Sequence, residues 1–495
     1  MTIGEITFLA LYFAVLAALC FYGAHRYQMA WLYHRHRRDA PKRPADAPLP
    51  VVTIQLPVFN ERYVVRRLID HVCAIRYPAD RLEIQVLDDS TDDTVEIARA
   101  AVAEWRARGV DIRHIHRTDR TGFKAGALHA GMAAARGELI AVFDADFAPP
   151  PDFLERTVPY FADGAIGMVQ ARWDHLNRDY SWLTRAQSIL LDGHFVIEHT
   201  ARNRSGRFFN FNGTAGLWRR ACIEEAGGWQ HDTLTEDLDL SYRAQLAGWR
   251  FVFLNDVLAP AEVPVEMNAF KAQQHRWAKG SIQVGLKLLP RILRSEQPWR
   301  VKFEAFIHLT NNLAYVLMVL LSIMMPFAIR VRVEHGWYQM LLLDLPAFFG
   351  ATISVCCFYL LSQREVGGDW RRRALYLPFV LALGIGLAVN NAKAVLEALL
   401  GHESPFVRTP KLAVEGRRPA PTARRSYRAG RNLLPVVELL LAGLYTWSIV
   451  ECARRGLWAA VPFIMLFQLG FLYTGLMSLF QWGLGRPRAA TAARA

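Results

Sequence analysis

Six apolar stretches, at 6–24, 305–329, 337–361, 374–392, 433–450 and 457–485, approach the length needed to cross a bilayer. Roughly 20 helical residues span a hydrocarbon core about 30 Å thick. No single soluble core absorbs so many such runs, so the chain must fold in two environments, with residues 25–304 as the long polar interval. Hydrophobic residues make up 52% of the sequence, with 28 Phe, 16 Tyr and 14 Trp, which excludes a disordered or collagen-like protein. The formal charge of +13 does not point to nucleic acid, because of where it sits. Residues 24–50 carry six lysines and arginines against two acids, and 402–432 carry eight against two. Both runs flank apolar stretches, which is how cytosolic loops of membrane proteins are marked, so the expected partner is a lipid bilayer and no nucleic acid.

The same charges set a topology. Arg35, Arg37, Arg38, Lys42 and Arg43 follow the first stretch and place its end inside; residues 1–28 then read as an uncleaved transmembrane anchor with the N-terminus outside. Six spans would put the basic loop 402–432 outside. The link 364–373 is basic too, and 374–392 contains Gly384, Gly386, Asn390 and Asn391 before Lys393 and Glu397. Residues 374–400 are therefore expected to be an interfacial helix, leaving five spans: the anchor, two helices in 305–361 and two in 433–485. Residues 266–300 read as interfacial helices and 402–432 as a cytosolic loop. Glu438 and Asp344 lie near the ends of apolar runs, where snorkelling to the surface is expected. Tyr445, Trp447 and Tyr473 put aromatic faces into these apolar runs, where ordinary packing is the stronger expectation. The six cysteines are scattered with no CxxC pair, so neither a disulfide framework nor a zinc site is expected.

Residues 50–265 alternate strand and helix. Runs at 51–56, 82–87, 111–116 and 138–143 are apolar and rich in β-branched residues, and helical stretches follow them, a pattern that predicts a buried parallel sheet. Ligands of such sheets bind at the carboxyl ends of the strands. Those ends carry acids: Asp88 and Asp89 after one strand, Asp144 and Asp146 after another. Two carboxylates at i and i+2 in extended chain share a face, where both can meet one hard divalent cation together with phosphates. Other readings stay open at this level. Asp88 and Ser90 suit a helix N-cap, Lys124 suits a solvated surface, Thr235 with Glu236 suits a helix start, and Arg276 with Trp277 suits a membrane interface. Asp237 is a candidate general base by residue type.

Taken in order, Pro57 to Glu61, Asp88-Asp89-Ser90, Lys124 with Gly126, Asp144-Ala-Asp146, Thr235-Glu236-Asp237 and Gln273-x-x-Arg276-Trp277 resemble the family 2 glycosyltransferases. More narrowly they resemble the processive cellulose synthase superfamily. Phe406-Val-Arg-Thr409-Pro-Lys411 is similar to its F-x-V-T-x-K gating loop, and the form beginning at Ser404 is closest to the cellulose synthase-like A and C proteins, which make mannan, glucomannan and glucan backbones. The resemblance implies an α/β GT-A (Rossmann-like) catalytic domain in the cytosol, embedded in an α-helical transmembrane region of the plasma (cell inner) membrane. It implies that Asp89 binds base or ribose, that Lys124 lies near the nucleotide, and that Asp144 and Asp146 serve nucleotide and metal, Mg²⁺ or Mn²⁺. Asp237 would be the general base, Gln273 and Arg276 would hold the diphosphate, and Trp277 would stack on the acceptor. Phe211, Gly213, Thr214 and Glu236 would complete the acceptor site, with Asn212 standing where cellulose synthases have Cys. Phe406, Thr409 and Lys411 would form the gating loop, in which Arg408 replaces the usual Val.

The expected activity is inverting polymerisation of a β-linked glycan from a nucleotide sugar, GDP-mannose or UDP-glucose, onto a growing glycan acceptor, with translocation across the membrane. The reading admits an accessory subunit. It also expects no cyclic-dinucleotide domain after the last span, since the chain stops soon after it at Ala495. Two other readings are transfer of one sugar to a lipid, as ceramide glucosyltransferases do with a similar x-x-Arg-Trp motif, and an inactive membrane scaffold. The gating-loop similarity favours the polymer over the first, and the intact acids speak against the second.

Overall fold

The computed structural model describes residues 1–44, 49–337, 344, 348–402, 408–417 and 433–484. Phe406 therefore lies outside the described residues, as does most of the basic loop at 418–432.

Seven strands form one sheet: β1 (Val52–Val58), β2 (Leu82–Asp88), β3 (Ile112–His116), β4 (Leu139–Val142), β5 (Ile166–His175), β6 (Gly216–Arg219) and β7 (Arg250–Ala261), in the order β3-β2-β1-β4-β6-β5-β7. The four strands legible in the sequence are mutually parallel, with Ile54 opposite Ile84 and Val52 opposite Leu139. The sheet extends beyond these four strands and becomes mixed there, since β6 runs antiparallel to both β4 and β5. Every residue of β2 is buried, because helices cover both faces. Val65–Cys73 and Thr94–Ala107 pack on one side through Leu68, Ile69, Ala98 and Val102. Phe123–Ala134 packs on the other through Ala125, Leu128 and Met132. The N-cap reading of Asp88 and Ser90 is also corrected. The helix they precede starts only at Thr94, and the Asp88 carboxylate instead accepts the Ser90 N–H at 2.8 Å.

Five described helices are long and apolar enough to cross a membrane: Ile3–His36, Leu313–Glu334, Trp370–Leu399, Leu434–Arg454 and Val461–Gln481. These are not the five spans expected from the charges, since that set includes 337–361 and excludes 374–400. Trp370–Leu399 qualifies, although it is jointed into Trp370–Ala374, Leu377–Gly386 and Ala388–Leu399 and 67% of its 18-residue apolar stretch is buried inside the protein. The stretch 337–361 is described only in part. The stretch 305–329 is split, one helix ending at Thr310 and the next starting at Leu313.

The catalytic domain is bolted to this region by the helix Met267–Arg294. Lys279 and His275 pair with Glu397 at 3.3 and 3.1 Å, and Asn390 donates to the Lys271 carbonyl at 3.0 Å. Glu438 does not snorkel. It is fully buried and takes the Lys271 ammonium at 2.7 Å, beside the Ser478 hydroxyl. Asp344 likewise turns inward, pairing with Arg332 at 2.9 Å. Tyr445 stacks on Phe467 at 5.1 Å, and Tyr473 meets Phe379 edge-on at 5.0 Å, so both serve packing.

Candidate active site

The carboxyl ends of β1, β2 and β4 open on one cavity of about 230 Å³. Asp89, Lys124, Asp144, Asp146, Gly213, Glu236, Asp237, Gln273, Arg276, Trp277, Thr409 and Lys411 all line it. Residues from seven separated sequence segments thus meet where the topology of the sheet leaves its crevice. Two residues of the sequence reading lie elsewhere. Phe211 is fully buried, edge-on to Trp218 at 5.5 Å. Thr214 is also fully buried, and its hydroxyl accepts the Asp144 N–H at 2.9 Å, so it fixes the Asp144 backbone.

Each carboxylate of the Asp144-Ala-Asp146 pair meets a lysine. Lys124 Nζ lies 2.6 Å from Asp144 Oδ1 and also donates to the Gly213 carbonyl at 2.9 Å. Burial works against the Lys124 charge, but Asp144, Glu236 and Asp237 together more than offset it and the pKa is raised. Lys411 Nζ pairs with Asp146 Oδ2 and is likewise raised against the pull of burial. Two hard oxygen donors, each compensated by an ammonium group, form a site whose chemistry fits a divalent cation. Asp88, His114 and His116 form a separate group on the outer strands, with ligand atoms within 4.8 Å of one another.

Asp237 sits on the first turn of the helix Glu236–Leu246, with Oδ1 accepting the Leu238 N–H at 2.8 Å. Its other oxygen faces Gly213. That glycine has φ +81°, and a Cβ there would stand 3.0 Å from Asp237 Oδ2 and 3.3 Å from Lys124 Nζ. Glycine is thus required by both backbone and space. Desolvation, followed by the charge of Glu236, pushes the Asp237 carboxyl up, against the opposing pull of Lys124. Burial also raises Glu236. Arg276 is pushed down to about 10 by burial, against Glu236 and Asp144, and donates to Thr409 Oγ1 at 2.9 Å.

Several residues in or behind the cavity wall have no role in the sequence reading. Arg117, behind the wall, grips Asp89 with two hydrogen bonds, at 2.8 and 2.6 Å. Arg120 lies over the Phe59 ring at 3.3 Å, and Arg408 donates to the Phe59 carbonyl at 2.9 Å. Glu61 is buried beside Asp146, and desolvation pushes it up to about 8 despite Arg408 and Lys411. Trp173, His175 and Glu262 complete the wall. Glu61 and Arg408 lie within motifs the sequence shows, but nothing local marks Arg117, Arg120, Trp173, His175 or Glu262, whose roles come from tertiary approach. Asn60, beside Glu61, adopts φ +56° and its side chain accepts the Thr91 N–H at 2.8 Å.

Residues 50–280 match the family described as glycosyltransferase like family 2. Glucomannan 4-beta-mannosyltransferase 1 of Oryza sativa subsp. japonica is 46% identical over 253 residues, covering 50% of this chain and 49% of that protein. Glucomannan 4-beta-mannosyltransferase 2 of Arabidopsis thaliana is 43% identical over 272 residues, covering 54% and 50%. The chain spans about half the length of the curated relatives it matches. Among solved structures, a mannosyltransferase from Pyrobaculum calidifontis in complex with GDP-Man and Mn²⁺ is similar at TM-score 0.49 and 21% identity, over 79% of this chain and 99% of that one. With its ordered motifs gathered around one cavity, the region 50–280 matches glycosyltransferase like family 2 and is similar in sequence to the glucomannan mannosyltransferases.

Proposed function

We propose that this chain is an inverting membrane glycosyltransferase that transfers a hexose from a nucleotide sugar, GDP-mannose foremost, to the end of a β-linked mannan or glucomannan. The choice of sugar and polymer is supported by the relatives named above. The observation that carries the reading is the shared cavity: Asp144 and Asp146 on one wall, Asp237 on another, and Arg276 beneath the segment bearing Thr409 and Lys411.

Asp237 takes the proton of an acceptor hydroxyl, and the resulting oxygen attacks the anomeric carbon in a single displacement. The bond to the diphosphate breaks, its electron pair leaves with the phosphate oxygen, and the anomeric configuration inverts. Arg276 and Lys124 present positive charge to the departing diphosphate, whose charge grows as the bond breaks. Asp144 and Asp146 are the residues that would hold Mg²⁺ or Mn²⁺, which supplies further charge neutralisation for the phosphates. Gln273 and Trp277 orient donor and acceptor, Trp277 offering a flat face to a sugar ring. The catalytic domain faces the cytosol in this reading, with the N-terminus outside and the product passing among the apolar helices.

The test uses the full chain purified into lipid vesicles with Mn²⁺ or Mg²⁺, offered labelled GDP-mannose and UDP-glucose separately. A high-mass product from GDP-mannose that a β-mannanase digests supports the proposal. A lipid-extractable product carrying one sugar overturns it in favour of glycolipid synthesis.

A further inference from the structure

A second cavity, of about 560 Å³, lies behind the first. Consecutive residues of a strand point to opposite faces. On β5, Trp173 and His175 line the catalytic cavity, whereas Arg172 and Asp174 line the second one. Its remaining walls come from residues 178–189, from the link 366–376 and from Arg417, at the end of the segment that carries Lys411.

The charge on those walls is uneven. Arg178 is neutralised by the buried Asp192 at 2.7 Å, with Gln363 donating to the same carboxylate at 3.0 Å. Arg185 pairs with Asp179 at 3.2 Å and bonds the Tyr376 hydroxyl, and Arg373 donates to the Gly367 carbonyl. Arg172, Arg372 and Arg417 line the same cavity, and their guanidinium groups make no ion pair or hydrogen bond among the described residues. Burial lowers the Arg172 pKa, with Asp192 and Asp174 opposing, but an arginine stays charged in any folded setting. Like charges brought together from three distant segments repel unless an anion joins them, and planar guanidinium forks match phosphate oxygens.

We propose that this cavity binds a phosphate-bearing anion, bridged by Arg172, Arg372 and Arg417. The rim favours a phospholipid headgroup as the source. Trp182 is 60% exposed and Leu375 is 78% exposed, with Trp182 stacked edge-on to Tyr376 at 5.2 Å. Exposed Trp and Leu beside arginines are the composition of a membrane–water boundary. An anion here also touches the catalytic side. The Gly416 N–H bonds the Leu176 carbonyl at 2.8 Å, tying the Lys411 segment to the end of β5. A bound phosphate at Arg417 therefore helps to seat that segment over Asp146.

Binding is measured on the full chain in detergent and is independent of glycosyl transfer, so failure of the proposed activity does not touch it. Native mass spectrometry follows phosphatidylglycerol, phosphatidylcholine and, in a separate arm, inorganic pyrophosphate. Wild type is compared with Arg172→Gln/Arg372→Gln, with Arg417→Gln on its exposed segment, and with a charge-matched control, Arg99→Gln/Arg113→Gln, on the far side of the catalytic domain. The expected result is a retained phosphatidylglycerol, preferred over phosphatidylcholine by about tenfold, lost in the double variant, weakened in Arg417→Gln and kept in the control. Pyrophosphate binding with the same variant pattern, without lipid preference, keeps the site and assigns a soluble phosphate to it. Equal binding of both probes to wild type, Arg417→Gln and the double variant overturns the proposal.

Discussion

Lys411 and Asp146, 265 residues apart in sequence, form an ion pair across the mouth of the cavity, and Lys124 holds Asp144 in the same way at 2.6 Å. If Asp146 holds a divalent cation as proposed, the Lys411 ammonium and the cation compete for its carboxylate. Replacing Lys411 by Met removes the competitor. In the absence of donor, Mn²⁺ should then bind the full chain more tightly by about 1 kcal/mol, or about fivefold, as read by calorimetry. Turnover should fall in the same variant, because the segment loses its hold on Asp146. Weaker Mn²⁺ binding in Lys411→Met would count against this relationship.

Asp237 must be ionised to accept a proton, and burial with Glu236 raises its pKa. Activity should therefore fall as pH drops through a value above the ordinary carboxylate range. Glu236→Gln removes a neighbouring negative charge and lowers the Asp237 pKa, so the acid limb of kcat/KM should move to lower pH. Lys124→Met removes a positive charge and should move it up. Asp237→Asn should cut kcat by about 10²–10⁴ while the protein elutes as wild type. A Glu236→Gln profile displaced to higher pH would contradict this assignment of the base.

Gly213→Ala tests the tightness of the catalytic corner. The backbone there is left-handed, and an added methyl meets Asp237 Oδ2 at 3.0 Å. The conformational cost is about 1–2 kcal/mol, a loss of a few degrees in Tm. Loss of transfer should be larger than that loss of stability implies, since the methyl displaces the carboxylate proposed as the base. Gly164→Ala, where a Cβ meets nothing within 4 Å, is the control and should leave both unchanged.

The parts of this protein that were legible in the sequence are those with a local cause. β1 to β4 were visible because buried parallel strands read as continuous apolar runs, and Asp144 and Asp146 stood out by following the strongest of them. β6 is four residues long and antiparallel, held in the sheet by neighbours rather than by its own pattern. Thr214 is placed in the acceptor site by the sequence resemblance, whereas its hydroxyl turns inward to the Asp144 backbone, which only tertiary placement decides. Glu438 was read as an end-of-helix acid free to reach the surface. Its partner, Lys271, comes from a helix 167 residues earlier, and no local rule brings the two together.

That pair is also the link between motif and membrane. Lys271 precedes Gln273 by two residues on the helix Met267–Arg294, and its ammonium meets both Glu438 oxygens at 2.8 and 2.7 Å and the Ser478 hydroxyl at 2.7 Å. Both side chains are buried, so removing one strands the other as an uncompensated charge, at a cost of about 3–5 kcal/mol. Lys271→Met should therefore lower the thermal midpoint steeply in detergent. Lys271→Met/Glu438→Leu removes both charges and should recover most of that loss, because an apolar pair of similar volume can replace a buried ion pair. The two variants separate stability from function. If the pair also sets where Gln273 and Arg276 stand, the double variant should regain stability and still bind nucleotide sugar more weakly than wild type, as read by a raised KM. Recovery of both stability and KM would show that the pair holds the helix without aiming the motif.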